Sequence, residues 1–106
     1  MTRNEEFILL TVLKLQGQAY GVGIRKQILR DTGHIWSFAS IYQPLDNLVR
    51  KKWVRRIKGP STAARGGKSK FFYEVTPEGI RNLRNINETH RRVWSGVPAV
   101  LPEKGQ

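Results

Sequence analysis

The strongest chemical signal in this sequence is a basic segment with the pattern of a hairpin. Residues 47–73 contain nine Lys or Arg residues and no Asp or Glu. Apolar residues alternate with the basic ones at strand spacing, and Pro60, Ser61, Gly66 and Gly67 predict a loop between two strands. A folded cationic hairpin suits a polyanion, and DNA is the first candidate. The basic residues are Arg50, Lys51, Lys52, Arg55, Arg56, Lys58, Arg65, Lys68 and Lys70.

The segment that precedes the hairpin is predicted to be an amphipathic helix. Ser37, or alternatively Ser40, can cap its start. Ile41, Leu45 and Leu48 recur at helical spacing and predict a buried stripe. The opposite stripe is predicted to be polar and free of acidic groups, and it consists of Ser40, Gln43, Asn47 and Arg50.

Polar side chains of this helix are candidate DNA contacts. Because Gln and Asn can form paired hydrogen bonds with adenine in the major groove, we predict that Ser40, Gln43 and Asn47 read base edges. Ser37 and Tyr42 lie near the helix start and are predicted to bind phosphate, helped by the backbone N–H groups there. The alternative is that these residues form an ordinary solvated surface.

Basic residues outside that polar stripe are candidate contacts to the DNA backbone. Arg65 lies near the hairpin tip and is predicted to enter a minor groove, where negative potential is concentrated. Lys68 and Lys70 share one face of their strand, which suits phosphates. The alternative is a solvated run of charge. The full set of basic candidates is Arg25, Lys26, Arg50, Lys51, Arg65, Lys68 and Lys70.

The order of predicted elements defines the fold class. Two helices, ending near Gly17 and Gly33, precede the amphipathic helix, and the hairpin follows it. Thr76, Pro77 and Glu78 then start a last helix. This order predicts an α+β protein, mostly α, with a winged helix-turn-helix of three helices and a two-stranded wing. We expect this domain over residues 1–76, a C-terminal dimerisation helix over residues 77–96, and a flexible tail over residues 97–106.

Two helices carry more apolar surface than one small domain can cover. The first helix is apolar nearly all round, and the last repeats apolar residues at three-and-four spacing, interrupted by two polar residues. We therefore predict a homodimer. Trp94 lies late on the last helix, where packing against a second subunit or stacking on a ligand are both open. The predicted interface consists of Phe7, Leu10, Ile80, Leu83, Asn87, His90 and Trp94.

The apolar pattern also predicts which side chains fill the core. In the second helix, Val22, Ile24, Ile28 and Leu29 can face inward. In the second strand, alternation separates Phe72 from its aromatic neighbours on either side, and Phe72 is the expected core residue. Trp36 and Trp53 flank the amphipathic helix and are expected to be packing anchors.

Composition excludes several classes of function. The chain has 106 residues and a formal net charge of +11, which favours nucleic acid or an anionic surface as partner. The absence of Cys excludes disulfides and thiolate zinc sites and fits a cytoplasmic protein. His34 and His90 lie too far apart in sequence to indicate a metal site, and no acidic pair indicates a catalytic dyad. The sequence indicates no enzyme activity, no cofactor and no membrane span.

Three stretches of the sequence resemble the PadR-type family of transcriptional regulators. Residues 20–26 (YGVGIRK) are similar to the start of the second helix of that family. Residues 40–45 (SIYQPL) resemble its recognition-helix signature, and residues 66–79 (GGKSKFFYEVTPEG) resemble its wing and the start of its last helix. The similarity spans about residues 7–93, and the short C-terminal region is similar to the compact branch with one helix after the wing.

The resemblance implies a repressor that binds palindromic operator DNA as a dimer built partly by the last helix. Some regulators of the family bind flat aromatic compounds between tryptophans at the dimer centre, which makes Trp94 a possible ligand contact and a small aromatic compound a possible effector. The rival interpretation is an architectural protein that coats or bends DNA with low sequence specificity.

The sequence departs from the family at three places. Gln43 separates Tyr42 from Pro44, where the family commonly has proline directly after the tyrosine. Lys52 and Trp53 fill a turn that often carries glycine, and basic residues replace acidic ones at the end of the recognition helix. These changes are expected to raise general affinity for DNA and indicate a divergent prokaryotic member, of the kind carried by viruses or plasmids.

Overall fold

The computed structural model describes residues 1–61 and 69–98. It contains the elements α1 (Arg3–Lys14), α2 (Gly21–Thr32), α3 (Phe38–Arg50), β1 (Val54–Ser61), β2 (Ser69–Val75) and α4 (Pro77–Trp94). β1 and β2 pair antiparallel as a two-stranded sheet. The predicted fold class, a winged helix followed by one helix, is confirmed. Within the described residues, no helix is both long enough and apolar enough to cross a membrane.

Local capping explains where three of the helices begin. Thr2, Ser37 and Thr76 each accept a hydrogen bond on the side-chain oxygen from a backbone N–H of the first helical turn. Ser37 and Thr76 were expected at these positions. Gly33 ends α2 in the left-handed conformation, with φ 76°, which glycine adopts without a steric cost.

The core lies where α1, α2 and α3 meet the base of the hairpin. Ile41, Leu45 and Leu48 of α3 are fully buried there, as their spacing predicts. In α2, Ile24 and Ile28 are buried as predicted. Val22 and Leu29 are exposed, so the prediction that they face inward is wrong. The remaining core side chains are Ile8, Leu9, Val12, Ala19, Val54, Tyr73 and Leu83. Trp36 and Trp53 pack against this cluster, as expected.

The wing enters the core through Tyr73, so the prediction that Phe72 is the core residue is wrong. Tyr73 is buried whereas Phe72 is only half-buried. The backbone N–H of Tyr73 donates to the carbonyl oxygen of Ala19 at 2.8 Å, which fastens β2 to the connection between α1 and α2. Alternation along a strand separates its two faces but does not say which face the helices cover. Burial also raises the pKa of the Tyr73 hydroxyl.

A tight corner joins α3, β1 and α4. Lys52 adopts a left-handed conformation with φ 66°, and the N–H of Trp53 then donates to the carbonyl oxygen of Leu48 at 3.0 Å. The hydroxyl of Thr76 donates to the Lys52 carbonyl oxygen at 2.8 Å. A Cβ on Gly79 would collide with the Trp53 carbonyl oxygen, so glycine permits this close approach of α4. The corner therefore fixes the orientation of the wing and α4 relative to α3.

Candidate nucleic-acid interface

The surface of α3 differs from the polar stripe that the sequence predicts. Ala39, Gln43, Asp46 and Arg50 are exposed. Ser40 and Asn47, expected on the same face, are only half-buried. Because Asp46 lies on the exposed side, the prediction of a face without an acidic group is wrong.

Helical spacing explains this difference, because Asp46 lies at least as close as Asn47 to the side opposite Ile41, Leu45 and Leu48. Pro44 lacks the N–H that would donate to the fourth preceding carbonyl, and proline inside a helix commonly disturbs it. In the structure Pro44 is buried and lies inside α3 beside the apolar stripe. Adding Pro44 to the buried set rotates the inward face of α3 toward it, and the outward face consequently rotates toward Asp46.

The first turn of α3 carries two hydroxyls that bond to each other. The Ser37 oxygen accepts from the backbone N–H of Ser40 at 3.1 Å, and its hydroxyl donates to the Ser40 side-chain oxygen at 2.9 Å. Ser37 is exposed and Ser40 half-buried. The two predicted contacts thus lie together at the helix start, where backbone N–H groups favour an anion.

An aromatic stack holds Arg25 at the junction of α2 and α3. The Arg25 guanidinium lies 4.4 Å from the Phe38 ring centroid, and its Nε donates to the Trp36 carbonyl oxygen at 2.8 Å. The Phe38 ring stacks on Tyr42 with centroids 6.2 Å apart. The Tyr42 hydroxyl in turn packs against Gly21 at the first residue of α2, where a Cβ would not fit. Arg25 and Tyr42, predicted separately, are therefore one assembly, with the exposed Lys26 beside it.

The end of α3 uses some predicted contact residues within the protein itself. Arg50 donates to the side-chain oxygen of Asn47. The ammonium group of Lys51 bonds a carboxylate oxygen of the buried Glu5 in α1 at 2.7 Å and lies 5.0 Å from the Trp53 ring centroid. Lys51 thus neutralises a buried carboxylate, whereas Arg50 lies on the exposed outer face of α3.

The described part of the wing keeps cationic groups on its surface. Arg55 pairs with Glu74 across the two strands, and the Arg56 guanidinium lies 5.0 Å from the Phe71 ring centroid. Lys58 is exposed near the point where the regular register ends. Three predicted contacts, Arg65, Lys68 and the side chain of Lys70, lie outside the described residues.

Comparison with known proteins identifies the family of this winged helix. The sequence profile of the "Transcriptional regulator PadR-like family" matches residues 9–85, which is most of the chain. The chain belongs to this family. It is accordingly a DNA-binding transcriptional regulator, and the resemblance seen in the sequence is confirmed. None of the curated protein sequences compared with it matches significantly.

Solved structures of distant relatives share the fold of this PadR-like chain. A transcriptional regulator from Clostridium thermocellum superimposes with a TM-score of 0.69 at 22% identity, covering 85% of this chain and 84% of the other. A PadR-like transcription factor from Bacteroides fragilis gives 0.71 at 21% identity, covering 84% and 81%. A PadR family regulator from Eggerthella lenta gives 0.64 at 24% identity, covering 83% and 77%.

The residues predicted for a dimer interface occupy α1 and α4 of the PadR-like chain. Phe7 and Leu10 are exposed on α1, and Phe7 lies 6.3 Å from the Trp36 ring. On α4, Trp94 is 59% exposed, whereas Leu83 is 8% exposed and packs into the core of its own subunit. Leu83 therefore has little surface left for a partner.

The other predicted interface residues of α4 are polar or partly covered. Ile80 is half-buried and Asn87 is exposed. His90 lies 3.1 Å from a carboxylate oxygen of Glu6 and thereby joins α4 to α1. Val93 is 70% exposed beside Trp94 and is absent from the set of interface residues predicted from the sequence. An apolar residue next to a tryptophan at the end of a helix is a signal that could have identified it.

Proposed function

We propose that this PadR-like protein is a homodimeric repressor that binds a palindromic operator in duplex DNA. The observation that carries the proposal is the exposed outer face of α3, which has the Arg25 stack at its start and Arg50 at its end, and which the cationic wing follows in the chain. A recognition helix inserts such a face into the major groove while flanking cations neutralise phosphates.

The proposed DNA contacts divide into two kinds. Gln43 points outward from the middle of the exposed face and would read a base edge, with Ser40 and Asn47 at the margin of the same surface.

The second kind consists of contacts to the DNA backbone. The residues around the start of α3 would bind phosphate, and they are Ser37, Tyr42, Lys26 and Arg25. Arg50 and the wing cations, including Arg65, Lys68 and Lys70, would contact the backbone or the adjoining minor groove. Lys51 would raise the positive electrostatic potential near the DNA rather than contact it directly, because it is already paired with Glu5.

The homodimer is supported by exposed apolar surface at the end of α4 and between α1 and α2. Val93 and Trp94 project from the end of α4, while α1 and α2 border an open hollow of about 310 Å³ lined partly by Phe7, Leu10 and Ile28. We propose that residues 77–96 act as the dimerisation element and that Trp94 of one copy packs into the hollow of the other. Burial of these side chains would remove apolar area from water.

Binding-site selection from random duplex DNA tests the proposal. At about 150 mM salt the sequence-independent electrostatic background is reduced. We expect recovery of one palindrome with half-sites about 10 base pairs apart, or a multiple of that spacing. Exchange of Gln43 for Ala should relax the preference at one position of each half-site. Recovery of DNA with only a compositional bias would contradict a sequence-specific regulator.

The net charge of +11 favours a second candidate, an architectural protein with low sequence specificity. The same selection separates the two functions, because an architectural protein yields no palindrome. Substitution of the wing cations Arg65, Lys68 and Lys70 by Ala distinguishes the two functions further. In a repressor this triple change should weaken binding on all sequences and flatten the salt dependence without changing the selected palindrome.

The alternative to packing of Trp94 in the hollow is that its exposed ring stacks on a flat aromatic effector. Aromatic rings stack on an exposed indole, and such a ligand would quench its fluorescence. Titration of the protein with planar aromatic compounds should quench the wild type and leave the Trp94→Phe variant unaffected. Equal quenching of both proteins would contradict an effector site at this residue.

A further inference from the structure

Asp46 differs from the other acidic residues that the structure describes. Every other described acid has a partner or a local role: Glu78 lies in the first turn of α4, where it favours the helix dipole. Asp46 has neither a hydrogen bond nor an ion pair among the described residues. The paired acids are Glu5 with Lys51, Glu6 with His90, Asp31 with Lys14, Glu74 with Arg55, and Glu88 with Arg91 and Arg92.

Asp46 has no bonded partner within α3, and its influence on the rest of the described chain is electrostatic: burial first, and then the charges of Tyr42 and Asp46, raise the pKa of the Tyr73 hydroxyl. The residue lies in the body of the helix rather than in its first turn, so it gains nothing from the helix dipole. Arg50, four residues later, is well placed for a helical ion pair. Arg50 nevertheless donates to Asn47, and the Asp46 carboxylate is left exposed to solvent.

The position of Asp46 on α3 suits a role in DNA recognition. Asp46 lies one helical turn beyond Gln43 on the outward face of α3, the face proposed to enter the major groove. A carboxylate brought near phosphates is repelled, and it is also repelled by the acceptor atoms of guanine and thymine. Cytosine and adenine present amino donors in the major groove, at N4 and N6, but the N7 acceptor beside the adenine amino group repels a carboxylate, so cytosine offsets the repulsion best. The carboxylate can therefore favour one base and penalise others.

We propose that Asp46 is a specificity-determining residue that accepts a hydrogen bond from the N4 amino group of a cytosine in each half-site. This inference rests on the proposed function, because it requires α3 to enter the major groove. Ala39, two turns earlier on the same face, presents only a methyl group, which leaves room for the helix to approach the bases closely.

The test is binding-site selection with the wild type and two variants of Asp46. In the Asp46→Asn variant the amide can bond both N6 and N7 of adenine, so one position of each half-site should change from cytosine to adenine. In the Asp46→Ala variant the same position should lose its preference. On the selected operator, replacing that cytosine should weaken wild-type binding about 5-fold or more, and should not weaken binding by the Ala variant.

Glu88→Gln is the matched control, because it removes one negative charge as Asp46→Asn does but lies on α4. Glu88 is exposed and contacts only Arg91 and Arg92 of its own helix. The control should raise general affinity for DNA slightly and should leave the selected sequence unchanged. Thermal unfolding of each variant by circular dichroism should give the wild-type midpoint, because Asp46 has no described hydrogen bond to lose.

The outcomes distinguish failure of this inference from failure of the proposed function. If the wild type selects a palindrome and both Asp46 variants select the same one, Asp46 does not read a base and the inference is overturned alone. The inference is equally overturned if both Asp46 variants gain affinity on all sequences to the extent that Glu88→Gln does. If the wild type selects no sequence, the proposed function and this inference are both overturned.

Discussion

α3 and α4 have similar amphipathic sequences but very different surroundings. The apolar stripe of α3 is fully buried: Ile41, Leu45 and Leu48 are covered by α1, α2 and the base of the wing. In α4 only Gly79 and Leu83 are buried, and both lie in its first half. Beyond them α4 keeps the contact of His90 with Glu6 of α1, and it ends in the exposed Val93 and Trp94.

Apolar periodicity alone therefore does not say whether the residues that cover a helix belong to its own chain. For α3, the short connections to α2 and β1 bring the covering elements close in sequence. For α4, no element is described after it that could fold back over its end. The proposed recognition helix α3 is thus covered within its own chain, whereas the end of α4 would be covered only in the proposed dimer.

The largest effect is expected from truncation of the α3 core. Leu48→Ala should lower the free energy of unfolding by about 2–5 kcal/mol, because a fully buried leucine leaves a cavity that the surroundings fill only partly. Urea denaturation followed by circular dichroism measures the loss. The matched control is Ile35→Ala, since Ile35 is 70% exposed and its removal should change the stability by less than about 0.5 kcal/mol. Equal effects of the two changes would mean that α3 is not packed as described.

The next largest effect is expected on the association of two copies through the end of α4. Trp94→Ala should weaken the dimer by about 2 kcal/mol or more, roughly 30-fold in the dissociation constant, because buried tryptophans dominate interface energies. Light scattering over a dilution series should show a mass near twice 12.2 kDa for the wild type and near 12.2 kDa for the variant. Arg92→Ala, two residues earlier on another side of α4, should leave the wild-type mass unchanged. A wild type that is monomeric at all concentrations would contradict the proposed dimer.

The sequence predicted most of the fold because its strongest signals are local. Capping residues such as Ser37 and Thr76, the glycine at position 33 and the change of period after α3 each act within a few residues. These signals do not depend on which elements pack together. The family resemblance also rested on short stretches, and the match over residues 9–85 confirmed it.

The candidate site was less predictable because it depends on tertiary packing. Pro44 joins Ile41, Leu45 and Leu48 on the buried side of α3, and Asp46 lies on the exposed side. The hydrogen bond from the Tyr73 N–H to the Ala19 carbonyl oxygen holds β2 against the helices with Tyr73, rather than Phe72, in the core. The pairing of Lys51 with Glu5 joins residues 46 positions apart, so no sequence window contains it.

A smaller effect is expected at the corner that connects α3 with α4. Lys52→Gly should raise the free energy of unfolding by about 0.5–1 kcal/mol, because φ 66° is costly for a residue with a side chain and free for glycine. Lys51→Gly is the matched control: it makes the same chemical change at φ −74° and should destabilise the protein by removing the bond to Glu5. Urea denaturation should therefore give opposite signs for the two neighbours. A loss of stability in both would show that the Lys52 conformation carries no strain.

The smallest effect is expected at the ion pair between α1 and α2. Hydrogen bonds from Lys14 and then Gln27 lower the pKa of the Asp31 carboxyl below its usual value near 3.8. A lowered folded-state pKa contributes stability that is present above the unfolded pKa and is lost as the pH falls through the folded one. The wild type should therefore be slightly more stable than Asp31→Asn at pH 6, and the difference in melting temperature should close as the pH falls below about 4. A difference that stays constant with pH would show that the charge of Asp31 is not involved.

The same ion pair also reports on the partner proposed for α4. Lys14 and Asp31 lie at the border of the hollow that Trp94 of a second copy would fill. The pair is exposed in the single chain, where water and salt screen it and its contribution is small. A partner seated over the hollow would exclude that water and strengthen the attraction. The pH-dependent difference should thus be larger in the dimer than in the Trp94→Ala background. Equal pH dependence in both backgrounds would place the partner of α4 away from the hollow.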